Sequence, residues 1–233
     1  MKIGIFTDSH YSSAELTCGK RYNSRSLDKI REAMAFFTAE ACDLVICLGD
    51  LIDHEDKKEK VVENLQKVAE AFRAAPFRTI ALMGNHDGFS LKDEEFYAVL
   101  GEACRPKNLE IEGKKLIFVD ACYYDSGVHY DPDLSSDWTN TFFPHTEWLK
   151  KELEEAEKEA YLFMHQNIDP DVQADHCLHN AAEMRSILEK SGKVKAVYQG
   201  HYHPGHQNEC NGIRYVTFPA MCELENARFV IEL

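Results

Sequence analysis

Five times in this chain a short apolar run stops at a polar cluster of Asp, Asn or His, and no other feature restricts the fold as much. The runs Lys2 to Phe6, Asp43 to Leu48, Arg78 to Leu82, Tyr161 to Met164 and Val194 to Tyr198 have the length of buried strands. They lead into Asp8-Ser9-His10, Gly49-Asp50, Gly84-Asn85-His86-Asp87, His165 and Gly200-His201-Tyr202-His203. Lys115 to Val119 is a further buried-strand candidate. Between the runs lie apolar stripes at helical spacing: Leu27, Ile30, Met34, Phe37; Val61, Leu65, Val68, Phe72; and Leu149, Leu153, Ala156. The last stripe carries Glu147 with Lys151 and Glu154 with Lys158, expected as i,i+4 pairs on a solvated face. Alternating strands and helices predict an α/β fold. Asn211-Gly212 between alternating segments predicts a hairpin, and Arg228 to Glu232 a last strand, so the sheet is expected to be mixed.

No Gly/Ser-rich or Pro-rich linker and no repeat divides the 233 residues, and the expectation is one domain over 1–233. A formal charge of -14 disfavours a surface devoted to nucleic-acid phosphates or an anionic membrane. The eight cysteines form no CxxC pair and read as reduced thiols. No run has the length of a signal-peptide core or a membrane span, so a cytoplasmic protein is expected.

In α/β architectures ligand-binding groups gather beyond the carboxyl ends of strands. Asp, Asn and His are the oxygen and imidazole donors that divalent cations prefer. A lone Asp-x-His is common, and a lone Gly-Asp or Gly-Asn-His-Asp serves equally well as a turn. Their convergence from five strand ends, scattered over most of the chain, argues for a metal site.

Asp8-x-His10, Gly49-Asp50, Gly84-Asn85-His86-Asp87, His165 and Gly200-His201-x-His203, in this order, resemble the full motif series of the calcineurin-like metallophosphoesterases. The similarity runs over essentially the whole chain. It implies a four-layer α/β/β/α sandwich of two mixed β-sheets. It also implies a dinuclear centre, with Asp8, His10, Asp50 and His203 on one ion, Asp50, Asn85, His165 and His201 on the other, and Asp50 shared. Two such ions can lower the pKa of a bridging hydroxide and stabilise an in-line displacement at phosphorus. Manganese, iron and zinc all suit the donor set. In family members with this GNH sequence the matching His faces the leaving oxygen, which implies His86 as general acid; Asp53 is expected to orient it.

Departures narrow the resemblance. The run Gly49-Asp50-Leu51-Ile52-Asp53-His54-Glu55 lacks the Arg with which the protein phosphatase branch grips phosphate. Asp53 stands where purple acid phosphatases place a Tyr. The chain is more similar to the bacterial branch of cyclic-nucleotide phosphodiesterases and small-molecule phosphoesterases. The expected substrate is a small phosphomonoester or phosphodiester. The alternatives are a nuclease, which would need a basic track the sequence lacks, and a metal-free scaffold, against which all seven donors are present. The irregular segment 120–146 holds Tyr123, Tyr124, His129, Tyr130, Trp138, Phe142 and Phe143, which either wall the substrate pocket or pin the loop to the core. His54, His176 and His179 either touch substrate or lie on the surface.

Overall fold

A computed structural model describes residues 1–134 and 142–233; Trp138 lies outside the described residues. The first sheet contains β1 (Lys2–Phe6), β2 (Leu44–Cys47), β3 (Arg78–Ala81) and β10 (Phe229–Glu232), in the order β10-β1-β2-β3. β1, β2 and β3 are parallel, and β10 runs antiparallel to β1. The second sheet orders β4 (Leu109–Ile111), β5 (Lys114–Val119), β6 (Glu159–Met164), β7 (Val194–Gln199), β9 (Ile213–Thr217) and β8 (His206–Cys210). Its four central strands are parallel, and β4 and β8 close its two edges antiparallel.

Alternation along the strands sorts the apolar residues into layers. Ile3, Ile5, Leu44, Ile46, Leu48 and Ile80 of the first sheet pack on Leu116, Phe118, Phe163, Tyr198 and Val216 of the second. The opposite face of the first sheet carries Val45, Cys47 and Ala81 against α1 (Ser26–Ala39), α2 (Lys58–Arg73) and α4 (Asp93–Leu100). Ile117, Val119, Leu162 and Val197 do the same for α5 (Thr146–Glu155) and α6 (Ala181–Ser191). The result is two mixed sheets face to face between outer helices.

Gly4 sets how closely α1 approaches β1. A Cβ there would lie 2.6 Å from the ring of Phe37, a fully buried side chain. Gly4→Ala is expected to cost about 1–3 kcal/mol by overpacking. The check is the denaturation midpoint, and an unchanged midpoint would mean that the layer can give.

The apolar periodicity locates α1, α2 and α5, but α4, α6 and strand β4 have no counterpart in the sequence reading. Gly84-Asn85-His86-Asp87, read as a loop, starts the short helix α3 (Asn85–Ser90). Helix α5 ends at Glu155, so Glu154 and Lys158 do not share a helical face; Glu147 pairs with Lys150 rather than Lys151. No helix of the described residues is long and apolar enough to cross a membrane.

Candidate active site

The loops after β1, β2, β3, β6 and β7 meet at one edge of the sandwich, where backbone bonds lock them together. The Asp8 N–H donates to Gly49 O at 3.0 Å, His10 N–H to Asp50 O at 2.9 Å, and Gly200 N–H to His165 O at 3.0 Å. The two sheets are joined there by the His201 N–H, which donates to Asp8 Oδ2 at 3.0 Å. Asp8, His10, Asp50 and His201 all adopt left-handed backbone, with φ of 52°, 46°, 51° and 64°. For residues with a Cβ this conformation is uncommon, and it collects where surrounding bonds impose it for a functional purpose. Gly84 is needed for the same crowding: a Cβ on it would fall 2.1 Å from Asp50 Oδ1.

The side chains converge with their donor atoms inward. Asp8 Oδ2 accepts from Thr7 Oγ1 at 2.6 Å as well as from His201, which leaves Oδ1 facing His203 Nε2 at 3.4 Å and His10 Nε2 at 3.8 Å. Asp50 Oδ1 accepts from the His86 N–H at 2.8 Å. Its Oδ2 stands 3.5 Å from His10 Nε2 and 3.2 Å from His165 Nε2. His10 Nε2 and His203 Nε2 are 3.2 Å apart, and the His165 and His201 rings are 5.0 Å apart. Asp8 Oδ1, Asn85 Oδ1 and His165 Nε2 are buried without a hydrogen-bond partner. Leaving such atoms unpaired costs about 1–3 kcal/mol each. Carboxylate, amide and imidazole atoms turned toward a common centre are the donor types that divalent cations prefer, so the residues present suit the metals that the motif series implies.

The far sides of the imidazoles are anchored. His165 Nδ1 faces Leu48 O at 2.9 Å, His203 Nδ1 faces Glu223 Oε1 at 2.5 Å, and His86 Nδ1 faces Asp53 Oδ1 at 2.8 Å. Such partners fix ring orientation and tautomer. Electrostatics follow from burial and these pairings. For Asp50, burial favours the neutral acid, but the charges of His165, His86 and His10 outweigh it and hold the carboxyl well below its usual range. His165 is opposed by burial yet raised to about 9 by Asp50. His201, buried and beside His165, is lowered to about 3 and stays neutral. His86 is raised, since Asp50 and Asp53 together exceed the effect of burial. Asp53 is opposed by burial and lowered to about 2 by its bond to His86.

Asp50, Asn85, His86, His201 and His203 line a cleft of about 460 Å³ together with Lys20, Arg21, His176 and Tyr202. Asp8, His10 and His165 lie directly beneath, almost fully buried. His176 therefore belongs to the rim. His179 instead stacks on Phe143 at 4.7 Å, and the exposed His54 packs on Phe89 at 5.4 Å. Tyr130 and Phe142 are buried and pin their loop. A second cavity, about 390 Å³, holds charges already paired with one another: His129 with Asp120 at 3.0 Å and Lys92 with Asp131 and Asp133 at 3.1 and 2.8 Å.

Sequence reasoning passed over several residues that shape the site. Glu223 backs His203. Asn23 donates through Nδ2 to His10 O at 2.8 Å and to Asp53 Oδ2 at 2.9 Å. Asp87, buried, accepts from the Leu51, Ile52 and Gly84 N–H groups and so ties the second and third loops together. Burial and the charge of Asp50 push it up to about 7 against those donors. Only the position of Asp87 inside the GNHD run could have flagged it; Asn23 and Glu223 sit in no pattern.

Comparison with known proteins places this geometry. A probable cyclic nucleotide phosphodiesterase of Fibrobacter succinogenes is 23% identical over 220 residues, covering 87% of this chain and 73% of its own. A 3',5'-cyclic adenosine monophosphate phosphodiesterase of Escherichia coli K12 is 27% identical over 190 residues, covering 77% of this chain and 61% of its own length. The chain thus spans less than two thirds of the second relative. Among solved structures, a dimetal phosphatase from Danio rerio superposes with a TM-score of 0.78 at 18% identity, over 95% of this chain and 88% of that one, a likeness of fold. The family model of the calcineurin-like phosphoesterases matches residues 1–205, and on that match the chain belongs to the calcineurin-like phosphoesterase family.

Proposed function

We propose that the protein is a dinuclear metal-dependent phosphoesterase acting on a small phosphate ester, with Asp8, His10, Asp50 and His203 holding one cation and Asp50, Asn85, His165 and His201 the other. The observation that carries this reading is Asp50 Oδ2, poised between His10 Nε2 and His165 Nε2 at 3.5 and 3.2 Å, with Asp8 Oδ1 facing the same His10 Nε2 and Asn85 lining the same cleft as Asp50, both oxygens buried and unpaired. When bound, two divalent cations supply the positive charge that draws in a phosphate ester and acidifies water for attack at phosphorus. The remaining work belongs to the chain. Asp53 holds His86 Nδ1, which fixes the ring and assigns to Nε2 the proton delivered toward the leaving oxygen. The names of the two relatives favour a phosphodiester, cyclic nucleotides included, over a monoester.

The test is hydrolysis of para-nitrophenyl phosphate and of its bis ester by metal-stripped protein, with and without added manganese, iron or zinc. Metal-dependent turnover with preference for the bis ester is expected. Preference for the monoester would redirect the assignment to a phosphatase, and inactivity with all three metals, together with no metal retained, would favour a scaffold. Salt-sensitive affinity for DNA would favour a nuclease, against the formal charge of -14.

Metal uptake is also expected to release protons. In the metal-free protein Asp50 keeps His165 protonated at neutral pH, and a cation can take Nε2 only by displacing that proton. Affinity for manganese should therefore rise with pH up to about 9. Titration calorimetry at pH 7 in two buffers of different ionisation enthalpy reads the release directly; identical heats in both would contradict it.

A further inference from the structure

The run after Asp50 lacks a phosphate-gripping Arg, yet an arginine from another loop reaches the cleft. Arg21 lines it beside Asp50, Asn85, His86 and His203. Its segment is held in place on both sides. Arg21 N–H donates to Thr17 O and Thr17 N–H to Arg21 O, each at 2.9 Å. The Tyr22 N–H donates to Cys222 O at 3.0 Å. Neighbouring Lys20 pairs at 3.2 Å with Glu223, the residue behind His203, and Asn23 reaches Asp53, the residue behind His86. The backbone of Arg21 is thereby fixed relative to two imidazoles of the site.

The guanidinium has no such tie. Arg21 Nε is buried without a hydrogen-bond partner, and among the described residues no carboxylate lies within ion-pairing distance of the group. A permanent cation half-withdrawn from water beside a centre meant for two more cations is unfavourable until an anion arrives. The planar fork of Arg suits two oxygens of one phosphoryl group, with charge-assisted bonds. Lys20, spent on Glu223, is not available for this.

We infer that Arg21 is a substrate-binding residue that grips non-bridging oxygens of the phosphoryl group over the site, supplying from the loop after β1 the cation that the Asp50 loop lacks. The inference rests on the phosphoesterase reading, and its test separates the two. Manganese-loaded wild type, Arg21→Met and Arg21→Lys are titrated with inorganic phosphate, and manganese content and hydrolysis of the bis-para-nitrophenyl ester are measured on the same samples. Arg21→Met is expected to weaken phosphate binding about 10- to 100-fold, as befits loss of a charge-assisted pair, and to raise KM more than it lowers kcat, with manganese content unchanged. Arg21→Lys, which keeps charge but not the fork, should fall between. Wild type that binds phosphate and turns over the ester, with Arg21→Met binding phosphate equally well, overturns the role of Arg21 alone. Wild type that neither binds phosphate nor hydrolyses either nitrophenyl ester overturns both.

Discussion

Asp50→Asn is expected to abolish turnover and metal retention while leaving the fold standing. The amide oxygen can still accept from the His86 N–H, as Asp50 Oδ1 does at 2.8 Å, so the loop keeps its anchor. The second position changes sign. Where Asp50 Oδ2 faces His10 and His165, an amide would turn N–H donors toward the space proposed for the cations. One of only two carboxylates among the seven proposed ligands is lost, and with it the only one proposed to be shared. A fall in kcat/KM on the order of 10³-fold or more is expected, at or above the upper end for removing one preorganised electrostatic group. The metal-free form suffers little, because His165 gives up its proton once its counter-charge is gone and becomes an ordinary buried imidazole. Elemental analysis after dialysis, thermal melting and ester hydrolysis measure the three parts. Wild-type activity in the variant would end the dinuclear proposal.

His86→Ala should show its effect in proportion to how badly the leaving group needs a proton. Para-nitrophenolate departs as a weak base and gains little from an acid. An alkoxide gains the full contribution of general acid catalysis, on the order of 10²- to 10⁴-fold. The expected outcome is a modest loss on nitrophenyl esters and a loss in that larger range on a substrate with an alkyl leaving group. Equal losses on both would assign His86 to binding instead. The pH profile gives a second readout. A raised imidazolium pKa keeps the acid available below it, so activity should decline as pH rises through that value. Of the two carboxylates that raise it, Asp50 would be largely neutralised by bound cations, which leaves Asp53 as the durable one. Asp53→Asn removes that support, and the alkaline limb should move to lower pH with the metal content unchanged. A limb that stays in place would show that Asp53 does not set the proton affinity of His86.

How much of this could be read from the sequence depends on how local each cause is. Strands β1, β5 and β7 and the Asn211-Gly212 hairpin were legible because apolar runs and turn chemistry act over a few residues. Helix α6 was not, because its buried face, Ala181, Met184, Ile187 and Leu188, is short and follows a polar stretch that obscures where it starts. The residues proposed as ligands stood out because each follows a strand and shares one chemistry.

Their neighbours followed no such rule. Nothing near Glu223 marks it as the partner of His203, nothing near Asn23 ties it to Asp53, and nothing near Arg21 puts it in one cleft with Asp50; each relation spans about twenty to thirty residues of chain. The amino-acid sequence alone determined the alternation of strands and helices and the set of Asp, Asn and His side chains delivered beyond the strands. The tertiary structure decided which oxygens and nitrogens turn inward unpaired, which residues orient them, and which cation shares their cleft. Local propensity reaches only along the chain, whereas burial and hydrogen-bond satisfaction are settled between segments once they pack.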